Sequence, residues 1–228
     1  MAPPAGAALA AGQSPLASET PRSPFEEAKP MKKIVSSLGV LAFVVLFATQ
    51  ATAATWQIDT THSTISFKIK HMLSKTGGQF TDWSGTIDAG DALAKGSVNV
   101  EIQAASIDTR DEKRDNHLRS QDFFHVEEHP TLTFASTKIE KTGENTYLMH
   151  GDLTMRGVTK TVEIPFEFHG TAKDPWGNTK AGFSGSTTID RKDFDIVWNS
   201  ALDQGGFVLG DEVEIQLDIA AAMAEAGK

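Results

Sequence analysis

Thr64-Ile65-Ser66-Phe67-Lys68-Ile69-Lys70-His71 alternates apolar and polar residues without interruption. Successive side chains of an extended strand point to opposite faces. The pattern therefore places Ile65, Phe67, Ile69 and His71 on one face and Ser66, Lys68 and Lys70 on the other. A helix would scatter the same residues around its circumference. The stretch reads as a half-buried strand whose apolar face ends in one polar group, His71.

The same period of two recurs in Val98, Val100 and Ile102, in Val162, Ile164, Phe166 and Phe168, and in Val213, Ile215, Leu217 and Ile219. Leu132 and Phe134 mark another strand, Tyr147 to Met155 the next, and Ala181 to Ile189 a further one. Between Phe80 and Ile87 the alternation weakens, because Trp83, Gly85 and Ile87 lose parity with Phe80, which predicts a bulge or bend. About eight strands result, or nine with Thr55–Ile58. Turn residues separate them at Thr76-Gly77-Gly78, Asp88-Ala89-Gly90, Thr142 to Asn145, Arg156-Gly157 and Asp174 to Asn178. Connections this short join antiparallel neighbours. One segment, Ser106 to Pro130, is too long for a hairpin loop and carries the charged run Asp111 to Leu118, which predicts a single short helical insertion around 108–120. Strands with one apolar face each have two stable arrangements, a sandwich of two sheets or a barrel that removes its edges by closure. The reading favours an all-β, eight-stranded antiparallel up-and-down barrel. At eight strands the interior either fills with side chains or holds one small ligand. The many inward Phe and Met residues fit a packed core as well as a long apolar guest.

The amino-terminal quarter has a different composition. Six of the nine prolines fall within residues 1–30, among Ala, Gly and Ser with no hydrophobic period, so this leader is expected to be disordered or to be an over-extended gene start. Met31-Lys32-Lys33 then opens an apolar run from Ile34 to Phe47, followed by Ala51-Thr52-Ala53. A basic start, an apolar stretch too short for a comfortable span and small residues at its end make 31–53 a secretory signal, with cleavage expected after Ala53. That reading makes Met31 the true start, 54–228 the mature domain, and its location periplasmic or secreted. The sequence contains no Cys, so neither disulfides nor a lipid-attachment thiol are expected, and no permanent membrane anchor. Residues 1–53 hold four Lys/Arg and three Asp/Glu. Without them 17 basic side chains stand against 27 acidic ones, a charge of −10, which disfavours nucleic acid and anionic bilayers as partners.

Catalytic signals are sparse. His117, His125 and His129 lie near Asp122, Glu127 and Glu128, but His-x7-His-x3-His fits no common zinc-ligand pattern, and no metal is assigned. No Gly-x-Ser-x-Gly elbow occurs; Gly182-Phe183-Ser184-Gly185 falls within a strand pattern. Gly205-Gly206-Phe207-Val208-Leu209-Gly210 lacks the Lys-Ser/Thr of a phosphate loop. Two polar residues stand out by position. His71 shares parity with Ile65, Phe67 and Ile69, and Arg191 shares parity with Phe183 and Ile189. Each projects from an apolar face at a strand end, where it can meet the head of an amphiphile or tie down a neighbouring loop, Arg191 through Asp193 or Asp195.

Five segments together resemble the YceI-like family of exported proteins with a lipocalin-like barrel. They are Trp56-Gln57-Ile58-Asp59-Thr60-Thr61-His62-Ser63; His117-Leu118-Arg119-Ser120-Gln121-Asp122-Phe123-Phe124 leading to His129-Pro130-Thr131-Leu132-Thr133-Phe134; Gly151-Asp152-Leu153-Thr154-Met155-Arg156-Gly157; Ile189-Asp190-Arg191-Lys192-Asp193-Phe194; and Gly210-Asp211-Glu212-Val213. The resemblance implies a barrel whose interior holds a long-chain amphiphile, typically a polyisoprenoid such as an isoprenyl diphosphate or a quinone, in some members a fatty acid or amide. It implies no catalytic residue and no cofactor beyond that lipid. Phe67, Ile69, Met149, Phe166, Phe168 and Phe183 become the candidate tail contacts, and His71, Arg119 and Arg191 the candidate head-group contacts. Asp195 stands where the family commonly has Gly, adding negative charge near Arg191. A homodimer stays open, as do an enzyme built on the His117–His129 segment and a filled-barrel stress-response interaction module.

Overall fold

Both halves of the first strand pair with the last one, and that closes the sheet into a ring. The computed structural model describes residues 55–89, 92–203 and 205–224. The expected leader and signal, residues 1–53, lie outside the described residues. Its strands are β1 (Thr55–Ile58), β2 (Thr64–His71), β3 (Ser74–Phe80), β4 (Trp83–Asp88), β5 (Ser97–Gln103), β6 (Ile107–Asp108), β7 (Thr131–Lys141), β8 (Thr146–Met155), β9 (Val158–Lys173), β10 (Thr179–Asp190) and β11 (Leu209–Met223). The one α-helix among the described residues, α1, spans Glu112–Arg119. β1 pairs with β11 through Trp56–Met223 and Ile58–Ala221, and β2 pairs with β11 through Ile65–Leu217 and Ile69–Val213. β3 and β4 are likewise two halves of one strand, laid against β2 and β1. β5 and β6 form the third broken strand, against β4 and β3. β7 to β10 continue the meander, each antiparallel to the one before, and β11 completes it. Counted by ladders, the fold is the expected closed eight-stranded up-and-down barrel, not a sandwich.

The three broken strands are neighbours, and their breaks line up. Short 3₁₀ turns interrupt the first at Thr60–His62 and the third at Ala104–Ser106, while Thr81 and Asp82 interrupt the second. This is the bend that the lost parity after Phe80 predicted. Bonds cross the line of breaks, with Thr81 N donating to Ser106 O at 3.2 Å and Gln103 N to Asp82 O at 2.9 Å. At the first break, Asp59 N donates to Ala220 O, and the Ser63 hydroxyl accepts from Ala220 N at 2.8 Å while donating to Asp59 O. A side-chain oxygen thus replaces the backbone acceptor the break removed. The Asp59 carboxylate accepts from Lys180 Nζ at 2.8 Å and from the Thr61 hydroxyl at 2.6 Å. These bonds, led by that from Lys180, hold its carboxyl well below the usual carboxylate range.

One expected turn is a strand. Thr76-Gly77-Gly78 lies inside β3, and the chain reverses earlier, at Met72-Leu73, where Met72 takes φ 52°. The glycines resemble turn punctuation, but β3 uses their small size and not their flexibility. Space is the reason at Gly78, since a Cβ there would sit 2.6 Å from Phe67 Cζ. The Arg156-Gly157 turn joins β8 to β9 with φ values of 51° and 76°, as the twist of a two-residue hairpin requires. Helix α1 fills the expected insertion: Asp111 caps it by accepting from Arg114 N at 3.0 Å, acidic Glu112 and Asp115 occupy its first turn, and His117 and Arg119 its last. The outer wall carries exposed Lys68, Lys70, Glu101, Lys138, Glu163 and Glu167. No helix among the described residues is long and apolar enough to cross a membrane.

A depressed carboxyl pKa means that the unfolded chain binds the proton more readily, so the contribution of Asp59 is complete above about pH 4, the ordinary carboxylate value, and is lost as pH falls below it. Thermal unfolding followed by circular dichroism from pH 6 to pH 2.5 should show Tm falling more gently in Lys180→Met than in the wild type, with the variant the less stable of the two at pH 6.

Candidate functional site

Inward parity along the strands produces a lumen, not a solid core. A cavity of about 630 Å³ runs inside the ring, within the range of about 300–1,000 Å³ usual for small-molecule sites. Its wall is largely aliphatic and aromatic, with Ile65, Phe67 and Ile69 from β2, Val162, Ile164 and Phe166 from β9, and Val213, Ile215, Leu217 and Ile219 from β11. Two aromatic rings lie close over a glycine of the adjacent strand. The Phe67 ring covers Gly78, and that of Phe134 covers Gly151, where a Cβ would come within 2.3 Å of the ring.

The barrel ends differ. Trp56, Ile87, Ala89, Ala181 and Ala221 pack together towards the β1 end, with Phe168 and Phe183 against them. The opposite end is covered by α1 and by the long connections before β7 and before β11. There the lining residues include His71, Thr109, Asp111, Lys113, Arg114, His117 and Arg191. His117 stands edge-on to Phe123 and Trp198, at centroid distances of 5.0 and 4.8 Å, with Nε2 3.0 Å from Asp122 Oδ2. Asp115 is buried beneath the helix and accepts from Thr109 N at 2.9 Å and from its hydroxyl at 2.5 Å. Arg114 Nε donates to the Thr109 hydroxyl at 2.7 Å. Among the described residues, no carboxylate lies within 4.0 Å of a charged nitrogen of Lys113 or Arg114.

Five of the six expected tail contacts, Phe67, Ile69, Met149, Phe166 and Phe183, line the cavity. Phe168 does not; one step further along β9 than Phe166, it packs against the end cluster, its ring 5.3 Å from that of Phe183. The three expected head-group residues have three different situations. His71 lines the cavity and, among the described residues, has no hydrogen-bond partner on its ring. Arg191 also lines it, but is 3% exposed and donates to Gly210 O, Ile196 O and Trp198 O at 2.7–2.9 Å and to Asp211 Oδ1 at 3.2 Å. It holds the β10–β11 connection, through Asp211 and carbonyls instead of Asp193 or Asp195. Arg119 lies off the cavity wall and donates to Ala105 O and Ile107 O, two carbonyls at the break in the third strand. Lys113, Arg114 and Trp198, absent from the sequence reading, reach the lumen. Parity could not reveal them, since they belong to a helix and a loop whose positions only the packed barrel fixes.

Residues 56–221 match the YceI-like domain. The chain belongs to the YceI-like family. A UPF0312 protein of Ectopseudomonas mendocina is 46% identical over 156 residues, covering 66% of this chain and 81% of the relative. Burkholderia cenocepacia BcnA has a similar structure, with a TM-score of 0.64 and 27% identity over 72% of this chain and 98% of BcnA. A polyisoprenoid binding domain of Saccharophagus degradans shares the fold at a TM-score of 0.55 and 15% identity, covering 75% of this chain and 99% of that domain. The five motifs of this YceI-like chain now have structural roles. Asp59 and Ser63 mend the first break, Arg119 satisfies the third, the hairpin at Arg156-Gly157 closes β8 on β9, and Arg191 with Asp211 secures the last connection.

Replacing Arg191 with Met leaves three carbonyls without their donor, and an unpaired buried polar group costs about 1–3 kcal/mol. Urea unfolding of Arg191→Met should show a stability loss of roughly 3 kcal/mol or more, with loosening of 196–211 detected by hydrogen exchange.

Proposed function

We propose that this protein is an exported lipid carrier that holds one long-chain amphiphile, a polyisoprenoid such as an isoprenyl diphosphate or a quinone, for transport, storage or sequestration. The observation that carries this reading is the polarity of the lumen. Its wall is apolar over most of its length, and its ionisable groups gather at the α1 end, with Asp88 the exception at the other. Such a gradient suits a molecule with a long apolar tail and one polar head. Each methylene moved from water into the lumen contributes about 0.8 kcal/mol, so a prenyl tail strongly favours the sleeve. The tail lies against Phe67, Ile69, Met149, Phe166 and Phe183, and the head sits among His71, Lys113 and Arg114.

The name of the Saccharophagus domain supports the ligand class by analogy of fold alone. Met31-Lys32-Lys33 and the apolar run after it support export, which places the carrier in the periplasm or outside the cell. A net charge of −10 on the mature part argues against nucleic acid as the cargo. The reading assigns no catalytic residue.

Native protein purified without detergent and extracted with organic solvent should release about one lipid per chain by mass spectrometry. Val162→Trp places an indole in the lumen, and this variant should retain less than about a tenth of the wild-type lipid, a loss of 1.4 kcal/mol or more in binding, while keeping its β-sheet circular dichroism. A wild-type chain that stays lipid-free after expression in lipid-replete cells, or a Val162→Trp variant that carries as much lipid as the wild type, would overturn the reading.

A further inference from the structure

The geometry points to a divalent transition-metal site made by His125, Glu128 and His129, in the connection between α1 and β7. One ligand atom from each residue lies within 4.8 Å of the other two, and His125 Nδ1 is already 3.5 Å from Glu128 Oε2. Two ligands held about 2.0–2.1 Å from a tetrahedral ion are roughly 3.3 Å apart, so one pair stands at ligand spacing and the third atom needs to move inward by no more than about 1.5 Å. Two imidazoles and one carboxylate form the donor set that borderline ions such as zinc, cobalt and copper accept, leaving a coordination position for water.

The backbone builds this constellation deliberately. Glu128 N and His129 N both donate to the carbonyl of His125, at 3.0 and 2.9 Å, while His125 N donates to Ser120 O at 2.9 Å. One turn anchored on a single carbonyl therefore turns residues 125, 128 and 129 to the same side. His125 takes φ 50° to do so, a conformation unusual for a residue with a Cβ and one that concentrates at ligand clamps. His129 is seated by the neighbouring hairpin, since its ring packs where Gly157 lacks a side chain; a Cβ there would be 2.8 Å from His129 Cε1. Both histidines are partly buried and Glu128 is exposed, so the site is held firm on one side and open to ion entry on the other.

His117, the first histidine of the cluster visible in sequence, belongs elsewhere, between Phe123 and Trp198 with Asp122. Residues 125–129 carry a shorter His-x-x-Glu-His spacing within that cluster. That turn follows directly on Phe123 and Phe124, which line the lumen. A bound ion would clamp the segment that covers the mouth of the barrel. The site stands apart from the lipid reading, because none of its three residues touches the cavity.

Untagged, chelator-treated protein titrated with zinc in a calorimeter should bind one ion per chain saturably, and cobalt should give the visible absorption of a four-coordinate site with two nitrogen and two oxygen donors. His125→Asn keeps a residue tolerant of the left-handed backbone, and His129→Gln keeps the side-chain size. Each should weaken zinc binding by at least the roughly tenfold that even outer-shell changes cause, with unchanged circular dichroism, and the pair together should abolish it. Glu128→Gln should weaken it less. His62→Ala and His169→Ala, at exposed histidines far from the turn, should bind as the wild type does. Absence of saturable zinc binding, or its persistence in the folded double variant, would overturn the assignment.

Discussion

Closure of β11 on the two halves of the first strand is the constraint on which the rest depends. An open sheet of this length would leave a row of unpaired amides and a wet interior, and neither a lumen nor a mouth would exist. β11 is 15 residues long, and its partner is interrupted midway by a 3₁₀ turn, so ordinary ladder bonds cannot cover it. Ser63 and Asp59 supply the missing partners at Ala220, and the Lys180 ammonium holds the Asp59 carboxylate in place from β10. A short polar motif near the start of the domain thus acts as the clasp of the whole ring.

At the α1 end a second constraint operates. Backbone that leaves the sheet to cover the mouth gives up its ladder partners, yet much of it remains shielded from water. Three arginines meet this need. Arg119 donates to Ala105 and Ile107, Arg191 to Ile196, Trp198 and Gly210, and Arg156 to Gln121 and Asp195. A guanidinium offers five donors in a fixed fork, which lets one side chain satisfy several carbonyls at once. The positive charge of Arg119 and Arg191 first reads as suited to an anionic head. Their geometry commits most of those donors to the chain itself, leaving more capacity to spare at His71 and Lys113, and at Arg114 beyond its two bonds to Thr109, all of which line the lumen.

Whether the interior is filled or hollow depends on side-chain direction instead of side-chain type. The ten phenylalanines after residue 53 could fill an eight-stranded barrel. Phe67 and Phe134 instead lie over Gly78 and Gly151, and Phe168 turns into the cluster that closes the far end. Glycine on an inward position is usually counted as lost packing. Here it sets aromatic surface along the wall and preserves the space between.

The sequence by itself determined the strands, the antiparallel meander, the bend after Phe80 and the helix in the long connection, because period two, turn residues and caps are local properties. Parity placed Phe67, Ile69, Met149, Phe166 and Phe183, with His71 and Arg191, on the apolar strand faces that the ring turns inward. Tertiary structure decided the rest. It showed that Thr76-Gly77-Gly78 is strand, that Phe168 packs into the cluster at the barrel end, that Arg119 serves a strand break, and that His125 and His129 meet Glu128 while His117 does not. Each of these depends on which distant segment lies opposite, through an end cluster, a ring over a glycine or a carbonyl left unpaired. Alternation along one strand carries no information about what faces it across the ring.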